Sequence, residues 1–199
     1  MKKSFAITAS SLLFLAACGS ATTGSATLDD KLKNPLYAQH YYQELTSNMV
    51  TLQLSNDPIL KESGKQSLVD RTRIEGTKQA QEAVDTNASG PHGTFISDKD
   101  LVQGSVLMLG DTLYFGPDLV ATPGPSLHVY ISNTVDPRVG TFPDSSAVDL
   151  GVLQDPFGAQ SYALPKNDQD QAAGAPPLRT VVLWDKELEM VYGFVQLAE

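Results

Sequence analysis

The sequence is poor in cysteine and in basic residues, and it has no long apolar run. Cys18 is the one cysteine, and 14 Lys and Arg stand against 23 Asp and Glu, which gives a formal net charge of −9 at pH 7. Binding of nucleic acid through its phosphates needs clustered basic side chains, so this function class is excluded. Electrostatic attachment to anionic lipid headgroups is disfavoured for the same reason. Beyond the N-terminal stretch, no apolar run approaches the length of about 18 residues expected of a membrane-spanning helix.

Motifs of the common hydrolases and nucleotide-binding proteins are also missing. The sequence has no G-x-S-x-G, no H-E-x-x-H and no phosphate-binding glycine loop. A Ser-His-Asp arrangement assembled only in three dimensions stays open as a hydrolase hypothesis, with His128 or His92 as its base. We therefore name no catalytic residue and expect a protein that is not an enzyme.

The N-terminus has the layout of an export signal. Two lysines provide a positive start, residues 5–17 form an apolar stretch too short for a stable spanning helix, and small residues lead into Cys18. The run Leu15-Ala16-Ala17-Cys18-Gly19 resembles the lipobox of a bacterial lipoprotein. The resemblance implies a signal peptide at residues 1–17 and a lipid (palmitate) anchor on Cys18. It places the protein outside the cytoplasm in the cell envelope, at the outer membrane if the cell has one.

Lipidation of Cys18 would have a chemical consequence for the rest of the chain. No thiol would remain for disulfides, thiolate metal sites or cysteine nucleophiles. Residues 18–33 begin with small polar side chains and are expected to form the lipidated N-terminus and a flexible tether.

Helical periodicity follows the tether. Apolar residues recur every three to four positions over about residues 35–54, which predicts a helix with Asn34 as its N-cap and Pro35 at its first position. The resulting stripe can pack on a partner helix or on the rest of the chain, and a groove for a binding partner is the alternative. Its members are Tyr37, Tyr41, Leu45, Met49 and Leu52.

A second helix is predicted over about residues 58–87. Asp57 is placed to cap it, whereas Gly64 and Gly76 weaken it because glycine costs about 1 kcal/mol relative to alanine inside a helix. The two segments predict a helical hairpin over residues 34–90.

Short β-rich runs separated by Gly, Pro and Asp follow the boundary Ser89-Gly90-Pro91-His92-Gly93. The runs 105–109 and 112–115 flank a two-residue turn and predict a β-hairpin. Residues 180–184 are almost continuously apolar, as in a strand buried on both faces. About eight such strands over residues 91–199 predict a mainly β fold, an antiparallel β-sandwich or barrel.

An ordered set of short motifs in this region carries more information than the pattern alone. These motifs are Gly93-Thr94-Phe95, Gly104-Ser105-Val106, residues 123–130, Asp149-Leu150-Gly151, Gly158-Ala159-Gln160-Ser161-Tyr162, Leu164-Pro165, Val181-Val182-Leu183-Trp184 and Tyr192-Gly193. In order and approximate spacing they resemble the DM13 domain over about residues 93–197. The resemblance implies a β-rich extracytoplasmic domain from a family proposed to take part in electron transfer.

The family's electron-transfer proposal rests on a cysteine that usually follows the tryptophan of the Val-Val-x-Trp run. In this sequence the run ends at Trp184, and the matching position is Asp185. A carboxylate is a hard, redox-inactive ligand and cannot replace a thiolate in redox chemistry or soft-metal binding. Electron transfer therefore becomes the alternative hypothesis.

His128, Tyr130 and Asp185 are the candidate ligand or binding residues. Strand alternation over residues 127–131 places His128 and Tyr130 on one face. The imidazole of His128 can ligate haem, copper or zinc, although a single strand histidine is more often structural. His40 and His92 have no metal-ligand spacing to it, so we predict no metal site and no resident cofactor.

Other conspicuous residues have structural explanations. Met108 and Met190 are expected to pack in the core. Asp98-Lys99-Asp100 and Asp168-Gln169-Asp170 do not continue into a calcium loop, so solvated loop charge is the preferred interpretation. Trp184 is expected in the core, and a stacking surface for a glycan or peptide is the alternative.

The first hypothesis is thus a lipid-anchored bacterial envelope protein with a non-catalytic, binding or scaffolding DM13-like domain. Its partners would be the membrane, through the anchor, and an envelope protein or a glycan. The alternative is an extracytoplasmic electron-transfer protein that binds haem or a metal near His128.

The anchor is tested by Cys18→Ala. Without the acylated cysteine the protein is expected to leave the membrane fraction, because the acidic chain has no electrostatic affinity for anionic lipid. Fractionation and immunoblotting measure this release. Retention of the variant in the membrane fraction would contradict the lipobox assignment.

Overall fold

The computed structural model describes residues 26–99, 101–165 and 177–198. Cys18 and the predicted signal peptide lie outside these ranges. The helices are α1 (Leu28–Lys31), α2 (Pro35–Leu54), a 3-10 helix (Pro58–Lys61) and α3 (Lys65–Asn87). The strands are β1 (His92–Thr94), β2 (Ile96–Ser97), β3 (Val102–Gln103), β4 (Ser105–Leu109), β5 (Thr112–Phe115), β6 (Val120–Ala121), β7 (Leu127–Ser132), β8 (Val148–Val152), β9 (Gln160–Ala163), β10 (Thr180–Asp185) and β11 (Met190–Gln196).

Helix α2 has the predicted bounds and the predicted cap. The Asn34 carboxamide oxygen accepts hydrogen bonds from the backbone N–H groups of Leu36 and Tyr37, at 3.0 and 3.3 Å, and Pro35 opens the helix. The same side chain donates from Nδ2 to the carbonyl oxygen of Phe115 on β5, at 2.8 Å. One buried amide therefore starts the helix and fastens the hairpin to the β-domain.

The prediction of one continuous second helix is wrong. Asp57 caps only the short 3-10 helix, and α3 begins after Gly64, whose φ of +78° is a left-handed conformation that favours glycine. Gly76 has a packing role, since a Cβ there would lie 2.7 Å from Thr46 Oγ1 on α2. Within the described ranges, no helix is long and apolar enough to cross a membrane.

The structure also differs from the predicted tether at its C-terminal end, where α1 forms one helical turn. Thr27 Oγ1 accepts a hydrogen bond from the Asp30 backbone N–H at 3.2 Å, and the Asp30 carboxylate accepts one from the Thr27 N–H at 3.3 Å. This reciprocal capping box satisfies two backbone donors and stabilises the turn.

The strands form two antiparallel sheets and a short separate pair. The four-stranded sheet has the order β1-β4-β5-β9, the five-stranded sheet β2-β11-β10-β7-β8, and β3 pairs with β6. Strands β4 and β5 form the predicted hairpin, with Leu109 opposite Thr112 across a two-residue turn. Both sheets are open in the described residues. Of the two predicted architectures, the structure therefore has the sandwich type rather than a closed barrel.

Two apolar clusters lie on the two faces of the five-stranded sheet. The inner cluster joins residues of both sheets, among them Val129, Val181 and Leu183 from one and Phe115 and Tyr162 from the other. All six residues of β10 are buried, which confirms the prediction of a strand covered on both faces. The outer cluster consists of Tyr130, Phe142, Val182, Trp184, Val191 and Phe194.

A bulge in β11 lets this strand contribute side chains to both clusters, Tyr192 to the inner one and Val191 to the outer one. Trp184 pairs with Val191 and Leu183 with Gly193, so Tyr192 is an extra residue in the ladder. A side chain at Gly193 would collide with Val102 Cγ1, and its Cβ would lie 2.9 Å from the Ile96 carbonyl oxygen. The Tyr192-Gly193 motif therefore shapes the strand.

Candidate functional site

The three candidate binding residues do not lie together. His128 pairs with Trp184 and Asp185 pairs with Leu127 across the β7–β10 ladder. Because successive strand residues point to opposite faces, His128 and Asp185 lie on opposite faces of the sheet. His128 and Tyr130 share the outer face as predicted, with 6.5 Å between ring centroids.

Asp185 is fully buried and closes the β10–β11 turn. Its Oδ1 accepts hydrogen bonds from the backbone N–H groups of Glu187 and Leu188, each at 3.0 Å, and Oδ2 accepts one from Ser126 N–H at 3.3 Å. A buried carboxylate is costly unless such donors satisfy it. The carboxylate thus joins the turn to the start of β7.

Gly124 completes the surroundings of this carboxylate. A Cβ at Gly124 would collide with Asp185 Oδ2 and the Tyr192 hydroxyl, so the Pro123-Gly124-Pro125 motif needs its glycine for close approach. Burial, and then the charge of Asp185, raises the pKa of Tyr192. The Asp185 carboxylate is therefore enclosed between the β10–β11 turn and the Pro123-Gly124-Pro125 motif.

On the outer face, one carboxylate binds two basic side chains. His128 Nδ1 lies 3.0 Å from both carboxylate oxygens of Asp149, and Lys186 Nζ lies 2.5 Å from Asp149 Oδ2. Burial alone would raise the pKa of Asp149, but the hydrogen bonds from Lys186 and His128 outweigh it and lower the pKa to about 2. An ionised carboxylate can only accept, so Nδ1 of His128 carries the proton and Nε2 is the free nitrogen.

An open groove of about 860 Å³ runs beside this ion pair. It lies between the loop over residues 133–147 and the β10–β11 turn. Its charged lining residues are Asp98, Arg138, Lys186 and Glu189, and its floor includes Tyr130, Phe142 and Trp184.

The guanidinium of Arg138 is fixed in place. Nε and Nη2 donate to the two carboxylate oxygens of Asp136, at 2.9 and 2.7 Å, and Cζ lies 4.9 Å from the ring centroid of Phe194. The hydrogen bond to Asp136, and the nearby charge of Asp98, raise the pKa of Arg138. A bidentate pair of this kind has a defined orientation.

The aromatic floor is packed edge to face. Phe142 lies between Tyr130 and Trp184, with ring centroids 5.6 and 5.4 Å apart. All three side chains are buried, so each exposes little of its surface to the groove. Burial, with the charge of Asp149, raises the pKa of Tyr130, whose ring centroid lies 5.8 Å from Lys186 Nζ.

The three histidines of the chain lie in different surroundings. The described part of the chain contains no group of three or more His, Cys, Asp or Glu side chains that could hold a metal ion. His128 would supply one nitrogen, while His40 is exposed on α2 and His92 Nδ1 lies 3.0 Å from the Gly90 carbonyl oxygen.

The other candidates from the sequence divide into three groups. Met108 and Met190 pack against the inner cluster and Trp184 belongs to the outer one, all as predicted. Asp98 lines the groove. The Asp168-Gln169-Asp170 run and Asp100 lie outside the described residues.

Sequence reasoning missed Arg138, Phe142 and Lys186 as groove residues, and it missed Asp149 as the partner of Lys186. Asp149 belongs to the motif Asp149-Leu150-Gly151. The one available signal was the alternation of side chains along its strand, which could have placed it on the same sheet face as His128 and Tyr130. Arg138 and Phe142 belong to a loop without periodicity, so nothing local indicated that they cover the sheet.

Fold and site together define a class of protein: an antiparallel β-sandwich domain with an N-terminal helical hairpin and an open groove on one outer sheet face. The chain belongs to the DM13 family, since the family model described as "Electron transfer DM13" matches residues 94–197, just over half of it. No curated protein and no solved structure matches the chain.

Asp185→Ala is expected to lower the free energy of unfolding by about 2–3 kcal/mol, because three backbone donors lose a charged acceptor. Asp155→Ala is the matched control. Asp155 Oδ1 accepts from the Phe157 N–H at 2.9 Å in an exposed loop, so its loss should cost less than about 1 kcal/mol. Denaturant unfolding measures both, and equal stabilities would contradict the turn-closing role.

Asp149→Asn should destabilise the protein in a pH-dependent way. The pKa of Asp149 is about 2 in the folded state and about 3.9 in the unfolded state. The ionised carboxylate therefore stabilises the fold fully at pH values above about 4. The stabilisation should be about 1–2 kcal/mol for this partly exposed group, and it disappears as the pH falls from about 4 to 2. Denaturant unfolding of both proteins from pH 2 to 7 measures the difference. A difference that is constant across this range would contradict the assignment.

Proposed function

We propose that the protein is a lipid-anchored envelope protein whose DM13 domain binds a ligand in the outer-sheet groove without catalysing a reaction. The observation that carries the proposal is the groove itself, whose basic side chains are held by ion pairs above a packed aromatic floor. Such preformed orientation lowers the entropy cost of binding. An envelope protein or a glycan is the expected kind of ligand.

The hydrogen bonds of the histidines favour binding over hydrolysis. Among the described residues, His92 contacts the Gly90 carbonyl and His128 contacts Asp149, and no hydrogen bond joins a histidine to a serine. Ser132 and Ser146 bond instead to Asp144 and to each other. A serine nucleophile needs a base within hydrogen-bond reach, so these contacts support a site without catalysis.

The surroundings of Asp185 favour binding over electron transfer through the family's cysteine. Its carboxylate is occupied by backbone donors of the β10–β11 turn. One observation supports the alternative function, electron transfer by a haem or metal near His128. The Asp149–His128 contact resembles the carboxylate–histidine pairs that orient metal ligands, and it leaves Nε2 of His128 free.

The location at the envelope rests on the N-terminal sequence. The short apolar run that leads into Cys18 supports a lipid anchor, and the acidic composition supports anchoring by the lipid chain rather than by charge.

Groove binding is tested with isolated cell envelope. The full chain, purified in a sugar-free detergent, is expected to sediment with the envelope in a saturable way. Arg138→Glu should weaken this binding at least tenfold, since loss of a charged hydrogen-bond donor costs about 1.5–3 kcal/mol and tenfold corresponds to about 1.4 kcal/mol. Thr141→Tyr, which adds a bulky side chain to the lining and changes no ion-paired residue, should have the same effect.

Arg71→Glu is the matched control, because Arg71 is exposed on α3. Thermal unfolding shows whether each variant is folded. Binding that is absent, or that both arginine variants weaken equally, would overturn the proposed function.

A further inference from the structure

The basic side chains of the groove already have acidic partners. Arg138 is paired with Asp136, and Lys186 is paired with Asp149. Asp98 and Glu189 add further negative charge at the lining. With a chain net charge of −9, an anionic ligand would be repelled, so the groove favours a ligand without net negative charge.

The paired side chains nevertheless keep hydrogen-bonding capacity toward the groove. Arg138 uses Nε and Nη2 for Asp136, which leaves the Nη1 donors, and a lysine ammonium has three donors. The carboxylates of Asp98 and Glu189 add acceptors. Donors beside acceptors match hydroxyl groups, which donate and accept at once.

The place of the groove in the sheet argues against a bound peptide strand. Strands β7, β10 and β11 under the groove are interior strands, paired on both sides. A peptide that binds by strand addition needs an exposed sheet edge with free backbone groups. The groove offers no sheet edge, and its apolar walls at Pro143 and Met190 suit the C–H faces of a sugar ring.

We propose that the groove binds an uncharged glycan chain of hexose or N-acetylhexosamine units. This inference rests on the proposed function, since it names the class of ligand for the same groove. Paired charges hold the sugar hydroxyl groups, and the walls contact the ring faces.

Trp184 makes the test direct, because it is the one tryptophan of the chain and it lines the groove. The full chain in a zwitterionic, sugar-free detergent is titrated with the tetramer of N-acetylglucosamine and with maltotetraose, and the emission of Trp184 is recorded. A saturable change is expected with at least one of them. Arg138→Met should weaken it at least tenfold, and Arg71→Met, on exposed α3, should leave it unchanged.

Tetragalacturonate and an unstructured peptide of neutral charge are the comparison ligands. The absence of a saturable response to both neutral sugars, or a response equal in Arg138→Met and the full chain, would overturn the inference. Groove-dependent sedimentation with cell envelope that the peptide or tetragalacturonate displaces, and neutral sugars do not, would overturn it while leaving the proposed function in place. Loss of groove-dependent sedimentation would overturn the proposed function itself.

Discussion

Strand β10 is shielded from water on both faces, because the inner apolar cluster packs on one face and the outer cluster on the other. Val181 and Leu183 point into the core between the sheets, while Val182 and Trp184 carry the outer cluster. Each such side chain contributes about 1.5–3 kcal/mol when fully buried. The outer face can present a groove because the loop over residues 133–147 covers the sheet and places Phe142 against Trp184. Packing of one strand thus determines both the stability of the domain and the floor of its candidate site.

The last residue of β10 connects this packing to function. Asp185 follows Trp184 directly, and its carboxylate accepts backbone hydrogen bonds that close the turn to β11. That turn carries Lys186 and Glu189, which line the groove. A thiol is a weak acceptor and would close the turn less well. Asp185 therefore also positions one wall of the groove.

Local signals were sufficient for the elements whose structure depends on neighbouring residues. Asn34-Pro35 predicted the start of α2, the two-residue turn predicted the β4–β5 hairpin, and the continuous apolar run predicted the buried β10. Local reasoning failed at Gly76, where glycine is needed because α2 approaches closely, a contact the helix propensity scale does not contain. It also missed the pairing of Asp149 with Lys186, since those residues are 37 positions apart and meet only through the order of the sheet. The groove forms only when distant segments of the chain pack together, whereas each strand beneath it can be predicted from its own sequence.

The central claim is that this DM13 domain acts by binding and not by electron transfer. Absorption spectra of the purified full chain before and after dithionite, together with elemental analysis, test it most directly. Binding predicts identical spectra without a stoichiometric chromophore or metal, both in the natural chain and in His128→Ala. A stoichiometric haem or metal that changes its spectrum on reduction and is lost in His128→Ala would contradict the account.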